Sequence, residues 1–433
     1  MSTGNVRPAG GLQRSSDGSP AARSAGETAA ARSLLGLNWL NFLVAAMQMG
    51  FGPFLSVYLT AHLWNVQDIG TALSIGTAVA LVAQIPAGAL VDVIPSKPAA
   101  ARLGILGVAA AAVIIGLVPA LPAVAAALTL QASASCLLTP AIASITLALS
   151  HQDQFGERLG YNVRFAAIGA GAAAGLMGLV GYWLSPRAVL FLAAGFGLAS
   201  LVALRAIHPG DIAAAPARTE HLSAAPHPTR AERQQQIRKL FRNRHLLICA
   251  AGVLLFQLGN AAVLPLAANA VTRTNGRLGN LAVTAAIIVP QVLTAVLSPR
   301  LGRLAETWGR RPVTLIGVAA LPIRTALLAM NSSPAALVCY QTLDGISASV
   351  IGVMLPLIVA DLTRHAGRFN LGMGIMGLAV GVGATLSTAV GGVIANRLGG
   401  TAAFAALGVA GLVCFLLVWR RMPNTKPEAS SGR

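Results

Sequence analysis

Apolar runs long enough to cross a bilayer recur along almost the whole chain. They cover approximately 34–60, 69–91, 101–120, 123–150, 161–183 and 188–206, then 245–271, 280–299, 312–330, 335–361, 370–396 and 401–419. At about 1.5 Å per helical residue, each can span a hydrocarbon core of about 30 Å. The pattern predicts an all-α membrane protein of twelve transmembrane helices. The short alternating segments of a membrane β-barrel do not occur. Residues 1–33 are Ser/Gly/Ala/Arg-rich without an apolar core, which predicts a disordered basic tail and not a signal peptide. Residues 207–244 hold four prolines and then a basic stretch, which predicts a linker ending in an amphipathic helix (230–244) on the membrane surface. That segment divides the spans six and six. The expected order is tail 1–33, six-helix bundle 34–206, linker 207–244, second bundle 245–419 and tail 420–433.

Charge fixes the orientation. Of 433 residues only 10% are charged, yet 31 Lys+Arg face 13 Asp+Glu for a formal +18. A nucleic-acid binder would explain the charge but not the 55% hydrophobic content. Assigned to alternate loops, 26 of the 31 bases fall on the side that carries the two tails and the linker. Four fall on the other side, and Arg324 lies inside a span. By the positive-inside rule both termini are cytoplasmic. Arg outnumbers Lys 28 to 3, which by association suggests a bacterial source and an inner membrane. Cys136, Cys249, Cys339 and Cys414 stand singly in apolar runs and read as small hydrophobes, neither disulfide nor metal ligands.

The two halves repeat. Gly88, Asp92 and Lys97-Pro98 follow the second span as Gly302, Glu306 and Arg311-Pro312 follow the eighth, all offset by 214. Gln48-Met49-Gly50 in span 1 matches Gln257-Leu258-Gly259 in span 7, and Pro140 matches Pro356. Six spans per unit give both units one orientation, a parallel repeat. The loop 302–312, "GRLAETWGRRP", resembles the signature loop after helix 8 of the major facilitator superfamily, and 88–98, "GALVDVIPSKP", resembles a degenerate copy of it. The resemblance covers about residues 34–420. It implies two pseudo-symmetric six-helix bundles, a central cavity lined by helices 1, 4, 7 and 10, and alternating access by rocking of the halves. The arginine of helix 4 and the glycine-proline signature of helix 5, found in many proton-coupled drug exporters of that family, are missing. Gln131 and a glycine row (Gly169, Gly171, Gly175, Gly178) stand there instead.

The glycines of the loop motif permit close helix approach. Asp92 and Glu306 can pair either with Lys97, Arg310 and Arg311 or with a helix N-terminus of the other half, which would latch one conformation. Arg158, Asp361 and Arg368 lie in equivalent loops and are further gate candidates; solvated topology charges are the alternative for all of these. Polar groups inside the membrane tend to face a cavity or a partner. Asn38, Asn41 and Gln48 share a face of span 1. With Gln131, Gln257, Asn260 and Gln341 they are the substrate-contact candidates, or else hydrogen bonds between helices. Arg324 and Asp344 lie about 9 and 14 Å below the outer ends of consecutive spans. They are expected to pair, either structurally or as a proton-coupling couple in which Arg324 tunes Asp344.

No Walker motif, HExxH or GxSxG occurs, which argues against ATP drive and a membrane enzyme. The expected function is secondary transport of a small polar or amphipathic organic solute, with protons as the default coupling ion. The alternative is a non-transporting receptor or scaffold. No cofactor, metal or nucleic-acid partner is expected, and the protein is expected to be a monomer in the lipid bilayer. Import or export, and efflux in particular, stay open.

Overall fold

The computed structural model describes residues 20–150, 154–208, 242–364 and 368–423. Thirteen helices account for the described fold: α1 (Pro20–Met49), α2 (Pro53–Ala61), α3 (Val66–Val93), α4 (Lys97–Leu117), α5 (Leu121–Leu149), α6 (Phe155–Trp183), α7 (Pro186–Arg205), α8 (Arg244–Asn260), α9 (Val263–Trp308), α10 (Arg310–Met330), α11 (Pro334–Thr363), α12 (Phe369–Leu398) and α13 (Gly400–Arg421). Among them are twelve segments long and apolar enough to cross a membrane, six on each side of the linker. Most of the linker, including residues 230–241 of the expected surface helix, and the tail from 424 lie outside the described residues.

A proline stands just after the break in each of the two broken spans. Pro53 and Pro265 cannot donate to the carbonyls of Met49 and Ala261, four residues earlier. The helical ladder stops there: span 1 divides at Gly50–Gly52 and span 7 at Ala261–Ala262. Ser387 of α12 takes up the second break by accepting a hydrogen bond from the Ala262 N–H at 3.0 Å. Polar residues close several helix starts, with Asn65, Ser96, Ser185, Asn243 and Ser333 each accepting from the first turn.

Two expectations change. Residues 20–33, expected as disordered tail, form the start of α1; this Ala/Arg/Glu-containing stretch is rich in helix formers and has no internal proline. Spans 7 and 8, expected to separate near 272–279, are joined by an unbroken helical backbone from Val263 to Trp308. No proline occurs between 266 and 289 to interrupt it.

The apolar cores reveal how the halves meet. We call the side carrying the 2–3, 4–5, 8–9 and 10–11 loops the base-rich face. Toward that face the cores are shared. Phe155 and Leu159 of α6 join Val353, Leu357 and Ala305 of the second half. Ala143 of α5 joins Val359, Phe369 and Leu371. Toward the opposite face each half has its own core, Tyr58, Ile115 and Val124 in one, and Val271, Leu328 and Leu337 in the other. All four cysteines are free, with Cys136 and Cys414 buried and Cys339 exposed.

The glycine row of α6 is not one packing face. A Cβ on Gly169 would stand 2.2 Å from the Phe42 carbonyl oxygen of α1, whereas Gly175 and Gly178 meet nothing within 4 Å. Gly169→Val is therefore expected to lower the melting temperature in detergent by roughly 5–10 °C through overpacking. Gly175→Val should leave it unchanged; equal effects would contradict the assigned α1–α6 contact.

Candidate functional site

The loop-motif acids lie between the halves. Asp92, at the end of α3, accepts hydrogen bonds from the backbone N–H groups of Asn370 (3.1 Å) and Leu371 (2.9 Å) and from the Asn370 side chain (2.8 Å). These donors form the first turn of α12, where four N–H groups have no partner within the helix and the helix dipole favours an anion. Glu306, near the end of α9, accepts from the N–H of Gly156 at 2.7 Å, in the first turn of α6. Asp92 and Glu306, and likewise Asn370 and Gly156, are 214 residues apart, so one contact is the pseudo-symmetric image of the other.

Glycine makes these bonds geometrically possible. A Cβ on Gly88 would stand 2.2 Å from the Asn370 carbonyl oxygen, and one on Gly302 would stand 2.1 Å from that of Gly156. The seam continues by the same offset. A Cβ on Gly374 would stand 2.5 Å from the Gln84 carbonyl oxygen, and one on Gly160 would stand 2.4 Å from that of Ser298. Gly377 and Gly381 carry the α3–α12 contact toward mid-membrane, against Gln84 and Leu81.

The bases of the motif work within their own halves. Lys97 donates to the carbonyls of Val91 (2.8 Å) and Ile94 (3.0 Å), capping the end of α3. Arg310, not Arg311, plays the same part in the second half: it donates to the Ala305 carbonyl (3.0 Å) and pairs with Asp361 of α11 (2.8 Å). Arg311 reaches the Trp419 carbonyl of α13. Arg158 donates to the Leu34 carbonyl (2.9 Å) and to Asn38 (2.5 Å) on α1, without crossing to the other half. Arg368 is buried at the start of α12. One ion pair, Arg303 with Glu157 at 3.7 Å, does cross the seam; it is exposed and contributes little.

The second cluster lies inside the second half. Arg324 of α10 is 1% exposed and forms an ion pair with Asp344 of α11. Its guanidinium also donates to Gln341 (3.2 Å) and to Asn260 (2.5 Å), the last residue of α8 before the helix break. Gln341 in turn donates to the Ala286 carbonyl of α9 (3.2 Å). Four of the residues singled out from the sequence thus form one network tying α8, α9, α10 and α11. The others do not join it. Asn41 bonds the Leu37 carbonyl of its own helix (2.8 Å) and Gln131 bonds Ser135 one turn on (3.1 Å). Gln48 is exposed beside the break in span 1, and Gln257 lies on α8 with its Cβ 2.9 Å from a Cβ placed on Gly383. Among the described residues no group of His, Cys, Asp and Glu could hold a metal.

Asn370 lies beside Arg368 in the segment read as a gate, and sequence reading missed its partner Ser144. The Ser144 hydroxyl donates to Asn370 Oδ1 at 2.7 Å, holding the amide whose other end binds Asp92. It also missed Gln84, which lies at the α3–α12 seam. The signal available was positional: adding 214 to Gly156 gives Asn370.

Comparison with known proteins places these contacts in a family. The Major Facilitator Superfamily model matches residues 37–272 and 251–433. An uncharacterized MFS-type transporter of Mycobacterium tuberculosis is 36% identical over 391 residues, 90% of this chain and 93% of that protein. The tetracenomycin C resistance and export protein of Streptomyces glaucescens is 28% identical over 120 residues, 27% of this chain and 22% of that one. In fold, the chain resembles FucP in its outward conformation, with a TM-score of 0.69 at 14% identity over 90% of this chain and 99% of that one. The proton:xylose symporter XylE gives 0.68 at 14% identity over 93% and 97%. The chain belongs to the Major Facilitator Superfamily and is a multi-pass membrane transporter.

Proposed function

We propose that the chain is a secondary active transporter that moves a small polar or amphipathic organic solute across a bacterial inner membrane by alternating access, coupled to protons, with both termini cytoplasmic. The observation that carries this reading is the pair of symmetric carboxylate-to-helix contacts at one face, beside shared cores there and separate cores at the other face. Both contacts are made between halves. A rocking motion that opens the base-rich face must break them together, so they act as a latch on the present state. Hydrogen bonds to a charged acceptor are worth about 1.5–3 kcal/mol each, enough to bias two conformations strongly. The XylE symporter fold and the export protein are compatible with either direction of transport.

Asp344 is the carboxylate proposed to take the proton. While ionised it compensates Arg324. Once protonated, it leaves a buried guanidinium held by neutral acceptors alone, which is costly. Protonation therefore destabilises this arrangement of α8, α10 and α11 and favours another, linking proton occupancy to the broken span 7. Asn260, Gln257 and Gln48 are the proposed solute contacts; Gln341, expected as one, is fully buried with both amide ends bonded and serves the network instead, and Asn38, Asn41 and Gln131 serve the packing of the first half.

Flux in proteoliposomes across a broad solute panel, with and without a pH gradient, tests the function; no movement of any solute would overturn it. Asp344→Asn should abolish accumulation driven by the pH gradient while solute exchange at equal pH persists, and unchanged accumulation would remove Asp344 from the coupling role. For the latch, Asp92→Asn keeps one acceptor but removes the charge at the α12 terminus. It should raise the population open at the base-rich face about tenfold, read as spin-label distances between the inner ends of α3 and α12. Gly302→Val should shift the equilibrium the same way by steric force. Distances unchanged in both variants would contradict the latch.

A further inference from the structure

The Arg324–Asp344 pair is lopsided in its exposure. The Arg324 side chain is 2% exposed and that of Asp344 is 23% exposed. The guanidinium spends its terminal nitrogens on Asp344, Gln341 and Asn260. No donor other than Arg324 reaches the Asp344 carboxylate among the described residues. A carboxylate can accept about four hydrogen bonds, so Asp344 keeps most of its acceptor capacity.

Its partly exposed carboxylate lies on a helix face that continues into the seam between the halves. Asp344, Ala348 and Gly352 follow one another at steps of four on α11 and so lie in one row. Ala348 is exposed, and a Cβ on Gly352 would stand 3.2 Å from Val163 of the first half. The row thus runs from the interhalf seam up to the carboxylate. A solute in the cleft meets Asp344 and not Arg324, yet the charge behind the carboxylate is already balanced. A cationic solute would add an uncompensated positive charge to this site, and an anion would face a carboxylate.

We propose that Arg324 is the specificity-determining residue for solute charge: by neutralising Asp344 from behind, it makes the cleft accept an uncharged solute that donates hydrogen bonds through hydroxyl or amide groups, and reject organic cations and anions. This rests on the cleft being the solute site. Arg324 need not touch the solute, so its effect is on charge preference and not on contact.

Three molecules of one shape test it: 3,3-dimethylbutan-1-ol (neutral), choline (cation) and 3,3-dimethylbutanoate (anion), with binding to the full-length purified protein followed by calorimetry or saturation-transfer NMR. Wild type should bind the alcohol in preference to both ions. Arg324→Gln should reverse the order, with choline gaining at least about tenfold over the alcohol, one decade for each 1.4 kcal/mol. Asp344→Asn should move the preference toward the butanoate, an independent arm if Arg324→Gln does not fold. The neutral double variant Arg324→Gln/Asp344→Asn should regain the preference for the alcohol. A wild type that prefers either ion, single variants that keep the wild-type order, or a set in which neither wild type nor variants bind any probe would overturn the assignment. Binding is read without transport, so failure here leaves the flux result to stand or fall by itself.

Discussion

A carboxylate set against the free N–H groups of a helix start is the interaction on which the closed side of this molecule depends. Asp92 meets the first turn of α12 and Glu306 the first turn of α6. Each joins an anion to a partial positive charge inside a region with little water to compete. The geometry is demanding, because the helix backbones must come almost into contact before the acid can reach. That demand explains the glycines at 88, 302, 156, 160 and 374, where a Cβ would overlap the backbone of the other half. It also explains where the bases sit. Lys97 and Arg310 hold the carbonyl ends of the helices that carry the acids, fixing the carboxylates without neutralising the contacts across the seam.

The two contacts share a topology but not a strength. Asn370 adds a side-chain donor to Asp92 and is itself held by Ser144, while its counterpart Gly156 has no side chain to add. The α3–α12 seam also runs further, through Gly377 and Gly381. The stronger contact joins the degenerate copy of the loop motif, so motif quality in one segment does not measure the strength of the contact it makes. Half of each contact is supplied by the helix start of the other half.

This explains which features could be read from the sequence. The twelve spans, the offset of 214 and the two acids were legible, because hydropathy and motif residues lie in the segments that use them. The backbone donors of Gly156 and Leu371 were not, since a backbone N–H leaves no mark on composition. The Arg324–Asp344 pair was legible from depth alone, because a charge in the membrane interior has few tolerable arrangements. Amides are less constrained. Asn260 and Gln341 joined the charged network, whereas Asn41 and Gln131 found partners on their own helices, and spacing does not separate these cases. The breaks in spans 1 and 7 stand beside Pro53 and Pro265, but prolines also lie inside unbroken helices, and the apolar run continues across both breaks and hides them.

Symmetry and its loss divide the labour in this chain. The seam obeys the repeat, as it must if two equivalent bundles are to rock about a common axis and release together. The polar network does not: position 110, which lies 214 before Arg324, is alanine, and position 130, which lies 214 before Asp344, is leucine. A charged pair in one half alone ties any change in its charge to one bundle. There it meets the broken span 7 through Asn260, while among the described residues the matching break in span 1 has no ion pair beside it. In the proposed coupling, a change of charge at Asp344 bears first on α8, α10 and α11, which Arg324 ties together. In the proposed cycle the latch can stay symmetric because its trigger is not.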